Sequence, residues 1–114
     1  MNIYDKIYEL ADALKNCPET LELKEALDKI KFDEKNKKIL IDFRNIQMIA
    51  YKEHTDNGEI SKEIKEKIDN LSRIIVLNSD ISTYMNAEAK LAALWENMMK
   101  ILTEAIDIDI NLEE

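Results

Sequence analysis

The chain has one glycine, one proline and one cysteine among its 114 residues. With so few residues suited to tight turns, a β-sandwich or barrel of many short strands is excluded. A single cysteine rules out an internal disulfide and a cysteine-based zinc site, and it fits a reducing compartment. Positive charge is also scarce: 16 Lys and Arg stand against 24 Asp and Glu, a net charge of −8. The nearest basic cluster, Lys35, Lys37 and Lys38, is broken up by Asp33, Glu34 and Asp42. Nucleic-acid phosphate needs a basic face, so direct nucleic-acid binding is not expected. No apolar run reaches the length of a membrane span, and Met-Asn-Ile-Tyr-Asp has neither the basic region nor the apolar core of a signal peptide. The expected setting is cytoplasmic. Glycine-rich phosphate loops and nucleophile elbows are missing as well.

What is present is helical. Hydrophobic residues make up 46% and charged residues 35%, the balance of a soluble globular chain rather than a disordered one. One domain is expected over residues 1–108, followed by a frayed acidic tail over 109–114 where the helical period is lost. The spacing of Ile3, Ile7, Leu10, Ala11 and Leu14 predicts a first helix over 2–15. Asn16 suits its end. Pro18 and Glu19 then suit the first turn of a second helix over 18–31, with Leu23, Ala26, Leu27 and Ile30 on one side. Cys17 stands at the N-terminus of that helix, a place that suits a reactive thiol; the residue reads instead as a poor substitute for a Ser cap. Asp56-Asn57-Gly58 is the one glycine turn. It leads to an amphipathic helix over 60–77 with Ile60, Ile64, Ile68, Leu71 and Ile75 inside.

Two longer segments carry most of the information. The third helix, capped by Asp33 and running to about His54, has a core stripe of Ile39, Phe43, Ile46 and Ala50. Leu40 and Tyr51 widen that stripe, while Ile41 and Met48 lie nearly opposite. A helix apolar on most sides must be covered on more than one. From Asn78 to Ile108 the chain has no Gly or Pro and predicts a rod on the order of 45 Å long. Ile81, Tyr84, Met85, Leu91, Ala92, Leu94, Trp95, Met98, Met99, Ile101, Leu102, Ala105 and Ile106 cover about half its circumference on a wheel of 100° per residue. Glu88 falls inside that arc. An isolated buried carboxylate costs several kcal/mol, so Glu88 is expected to be buried and paired, with Arg44 or the Tyr84 hydroxyl as partner. His54 has no second ligand at metal-binding spacing. Asp107-x-Asp109-x-Asn111 imitates the start of a calcium loop but lacks its sixth-position glycine and twelfth-position glutamate.

Asp33-Glu34 with Phe43-Arg44-x-x-Gln47, followed by Ile81-x-x-Tyr84-Met85-x-Ala87-Glu88-x-x-Leu91, resembles the YlbF/YmcA superfamily of small bacterial helical proteins, closest to its YheA-like branch. The likeness extends from Ile3-Tyr4-Asp5 to Ile106. It implies an all-α antiparallel bundle, usually dimeric, in a cytoplasm of low-GC Gram-positive type. It also implies kinship with subunits of a complex that steers an endoribonuclease and affects competence, sporulation and biofilm formation. Relatives that help bind an iron–sulfur cluster carry extra cysteines near the C-terminus. This chain has none, so no cofactor is expected.

The fold expected is therefore an all-α antiparallel bundle of about five helices, two short and three long. The function expected is that of a non-enzymatic interaction or adaptor protein with protein partners, reaching RNA only through them. Glu88, Arg44, Gln47, Tyr84, Ile41 and Met48 are the structural and interaction candidates; no catalytic, cofactor-binding or metal-binding residue is assigned. The competing class is a carboxylate-based enzyme or metal-binding bundle, which would need inward Glu residues and Glu-x-x-His pairs on facing helices. Too much apolar surface lies on the third helix and the long rod for one copy to cover, so a homodimer is expected, with Ile41, Arg44 and Met48 contributing to the contact.

Overall fold

A computed structural model describes residues 2–108 and Leu112, and among them every regular element is an α-helix. The order is α1 (Ile3–Asn16), α2 (Pro18–Lys31), α3 (Glu34–Asn57), α4 (Lys62–Val76) and α5 (Ser79–Ile106). The tail expected to fray lies outside the described residues apart from Leu112. Caps set most of the boundaries. Asn2, Asp33, Ser61 and Asn78 each accept a backbone N–H from the first turn of the helix that follows. Cys17 sits in the same position before α2 and makes no such bond. Its Sγ lies instead 3.2 Å from the Leu14 carbonyl oxygen and 3.3 Å from Thr20 Oγ1. Gly58 ends α3 in the left-handed region at φ 79°, where a side chain would be strained. α4 starts later than periodicity predicts because Ser61 is its cap, and the Glu53 carboxylate accepts from both the Ser61 N–H and its hydroxyl.

Two antiparallel pairs make the body. α2 lies along the first half of α5, tied by Lys90 to Glu22 at 3.3 Å. α3 and α4 form a hairpin closed at Gly58. The pairs meet where α2 and α4 end and where α3 and α5 begin. There Ile30, Leu40, Phe43, Ile75 and Ile81 form the buried core, flanked by Ile39, Ile68, Leu71, Tyr84 and Met85. Away from that junction the molecule is thin. Its Cα trace measures 52 × 43 × 16 Å, and 16 Å is room for two packed helices at the usual spacing of about 8–10 Å, not three. α1 packs against α2 alone and buries none of its residues.

One polar group sits inside the junction. Asn36 is buried, and its Oδ1 accepts from Asn78 Nδ2 at 2.7 Å. The same Asn78 caps α5 by accepting the Ile81 N–H at 3.0 Å. Asn78 thus ties the start of α3 to the start of α5 while filling an orphan donor. Asn78→Ala should lower stability by about 2–3 kcal/mol, from a lost cap plus an unsatisfied buried carbonyl oxygen. Asn78→Ser should recover only the capping part. Urea denaturation checks both, and a Ser variant as stable as wild type would contradict the interhelix contribution.

Candidate functional site

α3 runs past α5 beyond the junction, and the two helices share a surface that nothing else among the described residues covers. On α3, Ile41, Arg44, Met48 and Tyr51 follow at helical spacing. Ile41 is 49% exposed, Met48 68% and Tyr51 75%. On α5, Tyr84, Glu88, Leu91 and Trp95 continue the same face, and Trp95 is 56% exposed. Arg44 joins the helices by donating from Nη2 to Glu88 Oε1. Tyr84 donates its hydroxyl to Glu88 Oε2 at 3.0 Å, and Arg44 Nη1 donates to Gln47 Oε1 at 3.2 Å. An open apolar groove lined by Leu23, Leu91, Ala92 and Trp95 runs on from Glu88.

The structure brings together Arg44, Gln47, Tyr84 and Glu88, with Ile41 and Met48 beside them. One expectation is corrected: Glu88 is paired but not buried. Its side chain is 41% exposed and that of Arg44 39%. The apolar arc around Glu88 on α5 does exist, but α3 covers only one flank of it. Further along, where α5 outruns α2, Trp95, Met99, Ile101, Leu102 and Ile106 are exposed, although periodicity places all of them inside. Both Glu88 oxygens accept hydrogen bonds, so the carboxylate is already engaged. Among the described residues, no three His, Cys, Asp or Glu side chains gather closely enough to hold a metal ion. No described helix is long and apolar enough to cross a membrane.

Sequence reasoning missed Asn36. The signal was there: Asn36, Leu40 and Phe43 fall on one helical face, and the first of them enters the core with the other two. Leu40, assigned to a flank, is in fact one of the core residues, because the face of α3 that meets α2 and α4 is centred on Leu40 and Phe43.

Tyr84 is the one titratable group at the site whose pKa is clearly displaced. Burial against the core raises it, the Glu88 hydrogen bond and charge raise it further, and Arg44 opposes them. The native state therefore favours the protonated phenol. That contribution to stability is complete below the ordinary tyrosine value of about 10 and is lost as pH rises through the higher native value. Tyr84→Phe should lower the urea midpoint at pH 9, and the gap from wild type should narrow at pH 11. An unchanged gap would show that the phenol does not titrate as the contacts require.

A family model described as control of competence regulator ComK, YlbF/YmcA, matches residues 3–107. A Clostridium tetani protein called only "UPF0342 protein" is 46% identical over 113 residues, covering 99% of this chain and 97% of its own. Two solved structures from Bacillus subtilis share the fold. YheA superposes with a TM-score of 0.68 at 23% identity, covering 94% of this chain and 97% of its own. RicA, crystallised in complex with RicF, gives 0.63 at 16% identity, covering 91% and 92%.

Proposed function

Because this chain belongs to the YlbF/YmcA family, we propose that it is a non-enzymatic interaction protein, an adaptor whose working form is a homodimer built on the face shared by α3 and α5. The observation that carries this reading is the amount of surface one copy leaves uncovered. A compact monomer of 13.3 kDa would expose about 6,400 Å², whereas this chain exposes 9352 Å². Its radius of gyration is 18.8 Å, against about 13 Å for a compact domain of this length. The excess surface is on the order of 2,900 Å². Covering half of it on each of two copies reaches the size of obligate interfaces, roughly 2,000–5,000 Å² in total. A two-fold axis achieves this with one patch used twice.

The polar cluster suits the centre of such a contact. Arg44 and Glu88 satisfy each other within one copy, and Tyr84 and Gln47 take further valences. Covering them therefore strands no charge, and a paired charge among apolar neighbours restricts which registers the two copies can adopt. The family description, control of the competence regulator ComK, and the RicA–RicF complex support a role among protein partners; the finer reading is a regulatory subunit linked to RNA processing, competence or biofilm control, as the resemblance implies. At a net charge of −8 the protein would reach RNA through a partner, in the cytoplasm, rather than by its own surface.

Light scattering on an eluting peak tests the dimer. At micromolar concentration the mass should be near twice the 13.3 kDa chain. Met48→Asp changes an exposed side chain, so it should leave helicity intact and move the mass toward one chain, since an unpaired carboxylate would have to be buried on association. A wild-type mass near 13.3 kDa means the face is not a self-contact.

A further inference from the structure

α1 and the far end of α5 are two overhanging arms. α2 begins at Pro18 and lies against α5 only as far as Asn97, so the rod continues past it without a neighbouring helix among the described residues. At the same corner, Pro18 opens α2 and holds Cys17 extended, with ψ at 154°. α1 leaves in another direction. The arms diverge from a cleft lined by Ala11, Leu14, Leu91 and Trp95. Further out they do not meet, since α1 packs against no helix but α2.

Each arm carries an apolar seam. On α1 it is Ile3, Ile7, Leu10 and Leu14; on α5 it is Trp95, Met99, Leu102 and Ile106. The spacing is identical, four, three and four residues, which is the a/d repeat of a coiled coil over the same length. Six of these residues are more than 40% exposed: Ile3, Ile7, Trp95, Met99, Leu102 and Ile106. A lone 14-residue helix is marginal in water, so α1 needs a packed face from somewhere.

Resting on the dimer proposed above, we infer that the occupant of this cleft is the free end of α5 from a second copy, whose seam zips onto α1. The arms of one copy cannot close on each other in this way, because α1 and its own α5 diverge from Leu14 and Trp95 and would have to fold together antiparallel. A second copy entered end-on by its rod brings Ile106 of the partner subunit to the apex, next to Leu14. The two seams then run parallel, matching Leu10 with Leu102 of the partner subunit and Ile3 with Trp95 of the partner subunit. Reciprocal use of the two clefts places the antiparallel α5 rods side by side with an α1 on each flank. This arrangement uses the unpaired length of both arms, and it extends the α3–α5 face without a break from Glu88 through Trp95.

Disulfide trapping decides the register. In a Cys17→Ser background, a chain carrying Leu14→Cys is mixed with one carrying Ile106→Cys and oxidised, and the product is read by intact mass. The expected product is the mixed disulfide of two chains. A second mixture, Ile3→Cys with Ile106→Cys, should give several-fold less, because those positions lie at opposite ends of the parallel seams. Dominance of the Ile3–Ile106 pair overturns the parallel register, and an intrachain disulfide in the double variant Ile3→Cys/Ile106→Cys shows that α1 folds back on its own rod. If light scattering gives a dimer but neither mixture yields a mixed disulfide, the exchange of arms is wrong while the dimer stands. A monomeric mass overturns both.

Discussion

Ile81 has no exposed surface, and it holds that position because three other helices converge on it. Ile30 closes α2, Ile75 closes α4, and Leu40 and Phe43 come from the first half of α3. This junction is where the chain removes large apolar side chains from water on all sides, and it is the point from which every other element projects. The Asn36–Asn78 bond lies within it, so the two long helices start from a fixed relation to each other. A small core of this kind holds the angle between helix pairs. It does not cover their length.

The uncovered length follows from a mismatch that begins in composition. With one glycine and one proline, little in the chain interrupts a helix once it starts. α5 runs for 28 residues and α2 for 14, so at 1.5 Å per residue the rod is about 42 Å long and its main partner about 21 Å. The end of the rod, residues 98–106, therefore overhangs. α1 does nothing to shorten that overhang, because the Cys17-Pro18 corner turns it away from the rod. The flat shape, the excess surface and the exposed seams are one consequence of unequal helix lengths.

The helices themselves were legible in the sequence to within a few residues at each end, since Asp33 and Asn78 are strong caps and Gly58 marks a turn. Pro18 marked the start of α2 without error. Burial was harder to read. Periodicity identifies which face of a helix is apolar but not what lies on that face, so the seam from Trp95 to Ile106 was assigned to a core that a single copy does not possess. The pairing of Glu88 with Arg44 and Tyr84 was legible because a carboxylate inside an apolar arc has few alternatives. Its exposure was not, for it depends on how far α3 reaches across α5. Asn36 escaped notice because a polar residue at the start of a helix is ordinarily solvated, and only the long-range approach of Asn78 makes it a core residue.

A dimer of two chains that each carry a net charge of −8 must form against long-range repulsion. The distribution of charge answers part of this. Where α3 crosses α5 in the proposed contact, the ionised groups Arg44 and Glu88 are paired, which makes them neutral as a unit. By sequence α1 to α4 balance their own charge, and the excess acid belongs to Asp33, Glu59, α5 and residues 107–114; screening limits its reach to about 8 Å at physiological salt. The face is thus neutral at its centre, with that charge pair satisfied before any partner arrives. An unpaired charge at position 88 would have to lose its water on association with nothing to replace it. The pair removes that obstacle in advance, and it does so with residues from two helices whose relative position the Ile81 junction has already set.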